Sequence, residues 1–190
     1  MNKKIIVGFI GISGSGKDTA SDYLVNHFNF NKMSLATPVK KMAQECFLLT
    51  DEQCWGKQKE DIDERWGCSP REMFQTIGTE IGQYLLPDLI PSLKNKFQSK
   101  SLWVHHLYER IDKLKDAQYI VIADVRFKHE VDALLERGAY LFKITRPGLK
   151  PIKKHISEEE VCLIHNSKIF TLNNDGTLEE LYEKLNGYFL

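Results

Sequence analysis

The chain has 190 residues, 42% of them hydrophobic and 27% charged, values that fit one folded domain with its own core and exclude a disordered, low-hydrophobicity chain. Lysine plus arginine and aspartate plus glutamate both total 26, for a formal net charge of zero. This balance argues against a general nucleic-acid or membrane-surface binder, so charge has to be read locally.

The opening MNKKIIVGFIG joins two lysines to an apolar run of about six to eight residues, too short for a signal core or a membrane span. It reads as a first buried strand, Lys4 to Gly11, and nothing in it directs export. Cys46, Cys54, Cys68 and Cys162 form no C-x-x-C pair and meet no histidine pair at zinc-site spacing, so reduced thiols in a cytoplasmic compartment are expected.

The strand runs into GISGSGKDTA (residues 11–20). Gly11, Gly16 and Lys17 fit the phosphate-binding pattern G-x-x-x-x-G-K-[ST], and the predicted helix Lys17 to Phe28 supplies the context that the pattern requires. Backbone N–H groups from Ser13 to Lys17 would cradle phosphates, with Gly14 and Gly16 free of side chains that block close approach, and Lys17 would reach the β and γ phosphates of ATP. A plain strand-to-helix turn would also use these glycines, but it gives Lys17 no purpose. Asp18 stands where a metal-binding hydroxyl is usual. A carboxylate is tolerated there only if it faces Mg²⁺ or its waters, or points away in the first helical turn, where it suits the helix dipole. Thr19 keeps a hydroxyl one place later.

A short strand near Phe30 to Ser34 and a helix from Pro38 to Phe47 follow. Residues 50–68 are charged with a few large apolar side chains and look like a surface excursion able to cover a pocket. SPREMFQTIGTEIGQYLL predicts a helix from Pro70 to Leu86, with Ser69, like Thr37 before Pro38, as an N-cap hydroxyl ahead of proline. On an α-helical wheel of about 100° per residue, Arg71, Gln75, Gly78 and Gly82 share one narrow sector, while Met73, Phe74, Ile77, Ile81, Tyr84 and Leu85 fill another that is expected to feed the core. Two mid-helix glycines on one line, each costing about 1 kcal/mol, point to close packing or a ligand. Arg71 can grip a phosphate with two N–H donors, and Gln75 can hydrogen-bond a base edge. Residues 87–101 form a second excursion.

A helix over Leu102 to Leu114 precedes the apolar strand Tyr119 to Val125, which ends in Asp124. Ligands gather at the carboxyl ends of strands in open α/β sheets, so Asp124 is placed to orient Mg²⁺ water or an acceptor. Arg126 and Glu130 are four residues apart and are expected to share one helical face, where a helix is predicted from Phe127 to Arg137. After a strand at Ala139 to Thr145, the span from Gly138 to Ile156 has no acidic residue but carries Lys143, Arg146, Lys150, Lys153, Lys154 and His155. This composition suits a lid, about 146–160, that closes over transferring phosphates. A strand at Lys168 to Asn173 and a helix at Leu178 to Leu185, capped after Asn174-Asp175-Gly176-Thr177, complete an α/β chain. It reads as one P-loop domain, residues 1–190, with a mainly parallel five-stranded sheet.

G-K-D-T at 16–19, S-P-R-x-x-x-Q-x-x-G-T-E at 69–80, D-V-R-F-x-x-E at 124–130, R-P-G with H-x-S-E at 146–158 and N-D-G-T-L-E-E-L at 174–181 together resemble the phage-type deoxynucleoside monophosphate kinases. The likeness covers most of the chain outside the two excursions. It implies ATP and Mg²⁺ as cofactors, with Asp18 and Asp124 on the ion through water. It also implies Lys17, Asp124, Arg126 and Arg146 as catalytic, and Lys41, Arg71, Gln75, Thr79, Arg126 and Glu130 as acceptor-binding. Gln83 departs from the pattern where relatives often carry arginine. Small nucleotides are the implied partners, without nucleic acid or membrane, a homodimer is a candidate assembly, and a viral source would make the location host cytoplasm. Two other readings use the same residues: a P-loop kinase of another phosphorylated metabolite, phosphomevalonate-like, and a regulatory protein that binds ATP without turnover.

Overall fold

The computed structural model describes residues 4–96, 102–149 and 156–190. In chain order the strands are β1 (Ile5–Ile10), β2 (Asn31–Met33), β3 (Tyr119–Val125), β4 (Tyr140–Thr145) and β5 (Ile169–Asn173). The helices are α1 (Lys17–Phe28), α2 (Thr37–Phe47), α3 (Asp51–Trp55), α4 (Pro70–Gln75), α5 (Leu86–Leu89), α6 (Pro91–Lys96), α7 (Leu102–Lys113), α8 (Lys128–Glu136), α9 (Ile156–Leu163) and α10 (Leu178–Phe189). A 3₁₀ turn occupies Gln58–Glu60, and a π-helical stretch, Thr76–Leu85, joins α4 to α5. Among the described residues no helix is long and apolar enough to cross a membrane.

The sheet-forming segments lie toward the two ends of the sequence, and the chain divides accordingly into two compact units: Met1–Ser34 with Arg110–Leu190, and Leu35–Glu109. In the first unit the described strands form one parallel sheet in the order β2-β3-β1-β4-β5. Central strands covered on both faces need continuous apolar runs, and IIVGFI in β1 and YIVIA in β3 supply them. Phe9 and Phe142 lie within the core with Leu24, Val121, Leu181 and Leu185; full burial of each large side chain contributes about 1.5–3 kcal/mol. β1 hands the chain leftward to β2 while β3 hands it rightward to β4, so the strand order reverses between β1 and β3. In open α/β sheets that reversal opens a crevice at the carboxyl ends.

In the second unit, Ser69 caps α4 as its sequence predicts: its Oγ accepts from the Glu72 N–H, and Glu72 Oε2 accepts from the Ser69 N–H at 2.8 Å. Thr37 does not cap α2. It is the first residue of that helix, which follows Ala36 without a side-chain cap. The predicted single α-helix from Pro70 to Leu86 is wound as π from Thr76 onward. Bonds from i to i+5 turn each residue through less than the α-helical angle, so the wheel that aligned Arg71 and Gln75 with Gly78 and Gly82 does not extend past α4. Close packing explains both glycines. A Cβ on Gly82 would sit 2.3 Å from the Trp103 ring, and one on Gly78 would sit 3.3 Å from Val39. The buried indole completes this seat by donating from Nε1 to the Gly78 carbonyl at 2.7 Å.

The excursion at 50–68 is an ordered substructure. Thr50 and Gln53 form a reciprocal cap on α3. The Asp63 carboxylate takes Arg65 Nη2 at 2.6 Å and Gln53 Nε2 at 2.8 Å, and hydrogen bonds from Arg65 and Gln53 hold its pKa well below the usual carboxylate range. Trp66 donates from Nε1 to the Phe47 carbonyl at 2.9 Å and stands edge-on to the Phe47 ring. Periodicity shows none of this because the partners lie up to 19 residues apart in sequence.

Candidate active site

The loop from β1 to α1 has the geometry of an anion cradle. Gly14 and Gly16 adopt φ of +81° and +107°, left-handed values that side chains disfavour. Backbone conformation is therefore a reason for these glycines beyond the close approach expected from sequence. Lys17 is buried, and its Nζ donates to the Ile12 carbonyl at 2.6 Å, so the ammonium lies folded against the loop. Ser15 is fully buried and its Oγ has no hydrogen-bond partner among the described residues.

Asn174, from the turn after β5, clasps this loop. Its side-chain amide donates to the Ser15 carbonyl at 2.9 Å, its backbone N–H donates to the Thr145 carbonyl at 2.8 Å, and its Nδ2 would lie 2.6 Å from a Cβ on Gly16. The sequence marks Asn174 only as part of a turn. The β4 turn also reaches the loop, with a Leu149 methyl 3.5 Å from where a Gly14 Cβ would stand. Arg146 is exposed at the head of that turn.

Asp18 lies toward solvent, its side chain 83% exposed, and receives Lys32 Nζ at 3.3 Å. Lys32 also takes Asp22 at 2.8 Å. Burial pulls the Lys32 ammonium down, but its bonds to the two carboxylates outweigh that and raise its pKa. Lys32 therefore offsets the negative charge beside the cradle. Thr19 is half-buried in the first turn of α1.

At the end of β3 the pairing with β1 shifts by one residue between Gly8 and Ile10, which places an extra residue of β3 around Ala123–Asp124. Such a slip re-aims a side chain. Asp124 Oδ2 accepts from the Ser34 hydroxyl at 2.6 Å, a pairing hidden from the sequence because it spans 90 residues.

Arg126 and Glu130 do not share a helical face, because α8 begins only at Lys128. Glu130 is buried, and its Oε2 accepts from the N–H groups of Arg126 at 2.7 Å and Phe127 at 3.0 Å. Burial pushes its carboxyl up to about 8; the two N–H bonds work against that shift, and the Asp124 charge adds to it. The Glu130 carboxylate thus fixes the backbone at Arg126 and Phe127, just after Asp124.

In the basic span, Lys143 of β4 is structural: its Nζ donates to the Ile164 carbonyl at 2.9 Å just past the end of α9, and burial lowers its pKa. Lys150, Lys153, Lys154 and His155 lie outside the described residues. The later part of the lid span begins α9 at Ile156.

In the second unit Arg71 is half-buried and pairs through Nε with Glu60 of the 3₁₀ turn. Gln75 is half-buried one helical turn later, and Thr79 is buried. Gln83 is buried too, with no partner for its Oε1 among the described residues. Lys41 is exposed on α2. Its neighbour Lys40 is the residue that meets aromatic rings, with Nζ 5.9 Å from the Trp55 centroid and 5.8 Å from that of Phe74. The sequence contained both lysines but no signal to choose between them.

A model of the deoxynucleotide monophosphate kinase family matches residues 52–185. A protein of Acanthamoeba polyphaga mimivirus named for the same activity is 41% identical over 187 residues, covering 95% of this chain and 94% of its own. The deoxynucleotide monophosphate kinases of Enterobacteria phage T4 and Escherichia phage RB69 are 30% and 29% identical over 66% of this chain, which spans about half the length of those phage proteins. With a P-loop cradle on β1, a carboxylate at the tip of β3 and these matches, the chain belongs to the deoxynucleotide monophosphate kinase family.

Proposed function

We propose that the protein transfers the γ-phosphoryl group of ATP to the 5′-monophosphate of a deoxynucleoside, giving ADP and a deoxynucleoside diphosphate. The observation that carries this reading is the loop from β1 to α1, which holds two left-handed glycines, a buried Ser15 hydroxyl without a partner among the described residues, and a Lys17 ammonium folded onto the Ile12 carbonyl.

The residues fit a magnesium nucleotide. Mg²⁺ keeps several waters and needs only one or two carboxylates besides phosphate oxygens, and Asp124, braced by Ser34, supplies one. A bound ion would supply charge neutralisation for the phosphates during transfer. Lys17 leaves the Ile12 carbonyl to take a phosphate oxygen, and Ser15 donates its spare hydroxyl. Arg126, set by the Glu130 clasp, and Arg146, carried by the turn after β4, oppose the charge that spreads over the transferring group. Arg71 holds the acceptor phosphate, and Gln75 contacts its base. The attacking phosphate oxygen is already ionised at neutral pH, so no strong general base is required.

A coupled ADP-release assay over deoxynucleoside monophosphates, ribonucleoside monophosphates and phosphomevalonate tests this reading. Deoxynucleotides should drive turnover, and Arg71→Ala should raise the acceptor KM while ATP binding stays nearly intact. ATP binding without any acceptor-dependent turnover would refute it.

A further inference from the structure

We propose that Glu60 is a positioning residue for acceptor recognition: its carboxylate holds the Arg71 guanidinium by Nε and so leaves the two terminal amino groups presented to the acceptor's phosphate. This rests on the reading of Arg71 as the acceptor arginine.

Stability does not account for the pair. Arg71 stands in the first turn of α4, where the helix dipole opposes a cation. Glu60 is 41% exposed, and an ion pair that open to water adds little to folding. What the pair does is fix orientation. Arginine grips phosphate through two parallel N–H groups only when its plane is set. A guanidinium tethered at Nε has lost its rotational freedom before the ligand arrives, so binding need not supply that ordering. Among the described residues no other carboxylate is shown on Arg71, so the terminal nitrogens face no rival anion there.

The segment that carries Glu60 is built to hold it still. Residues 50–68 carry many charges and few core side chains, yet they are locked by the Thr50–Gln53 cap, by the bonds that Arg65 and Gln53 make to Asp63, by Arg65 on the Leu48 carbonyl, and by Trp66 on Phe47. These interactions bracket the 3₁₀ turn Gln58–Glu60 on both sides. The same bracket sets Trp55 beside Lys40, whose ammonium is as near the Phe74 ring, on the helical turn of Arg71, as it is to the indole. The excursion thus supplies the acceptor arginine with its tether.

The test uses the full chain and the ADP-release assay with each of the four common deoxynucleoside monophosphates, comparing Glu60→Ala, Glu60→Gln, Arg71→Ala and the double variant. Glu60→Ala should raise the acceptor KM about threefold to tenfold, the range expected for freeing one arginine side chain. The ATP KM and the melting temperature should hardly move. Glu60→Gln, which keeps an oxygen for the Nε–H, should recover most of the loss, and the double variant should be no worse than Arg71→Ala alone. A lower acceptor KM in Glu60→Ala would show that Glu60 competes with the acceptor. No change in Glu60→Ala, with Arg71→Ala impaired, would show that Glu60 is inert. Either result overturns the proposal while leaving Arg71 in its role, whereas an unimpaired Arg71→Ala removes the acceptor reading beneath it.

Discussion

Two pairs of glycines, one in each unit, do opposite work. Gly14 and Gly16 have left-handed φ and shape the turn that leads from β1 into α1. Gly78 and Gly82 sit in a helical stretch without positive φ, and the room they leave is taken by Val39 and by the indole of Trp103. One pair is required by conformation, the other by the volume of a neighbour. The same residue type therefore reports on chemistry in the first unit and on packing in the second.

Substitution by alanine separates the two cases. Gly16→Ala meets both a disfavoured φ and the Asn174 amide, so we expect a loss of at least about a hundredfold in kcat/KM for ATP, on the scale of losing one preorganised donor, and only secondarily a stability loss of about 1 kcal/mol. Gly82→Ala should do the reverse. Its Cβ falls within 2.3–2.9 Å of three indole atoms, an overpacking worth about 1–3 kcal/mol, or about 2–12 °C in a domain of this size, with the ATP KM unchanged in the folded protein. If Gly82→Ala impairs ATP binding more than stability, the contrast fails.

The pH dependence of stability sharpens the picture of the first unit. With Glu130 raised to about 8 from an unfolded value of about 4.3, the folded state binds the extra proton between those values. Its contribution is complete at pH 4 and declines by about 1.4 kcal/mol per pH unit up to pH 8, then levels off. Urea unfolding from pH 5 to 8 should show that slope in the parent and lose it in Glu130→Gln. The smallest expected effect is that of Asn174→Ala. Losing the bond to the Ser15 carbonyl should cost about 1 kcal/mol, a roughly fivefold rise in the ATP KM with no change in the acceptor KM.

What the sequence disclosed follows from the range of the interactions concerned. Every strand was legible within a residue or two: the central β1 and β3 because burial on both faces writes an apolar run, the edge strands β2 and β5 from shorter apolar segments between turns. The phosphate loop was legible because its conformation is fixed by neighbours in sequence. The π winding of Thr76–Leu85 was not, since a helical period over ten residues cannot distinguish i+4 from i+5 bonding. That is why the wheel placed Gly78 and Gly82 beside Arg71. Helices α3, α5, α6 and α9 were missed because each is short, and α5 and α6 carry proline in their first turn. Ser34 on Asp124, Asn174 on Ser15 and Glu60 on Arg71 are contacts between residues 11 to 159 apart in sequence, beyond the reach of local pattern.

The place of β1 in the middle of its sheet has a kinetic consequence. Val7 and Phe9 are fully buried, and the strand is bonded along both edges, to β3 on one side and β4 on the other. Its amide hydrogens should therefore be among the last in the chain to exchange with deuterium, opening only when the whole sheet comes apart. The root of the phosphate loop would then remain intact through the partial openings that release the ends of the chain.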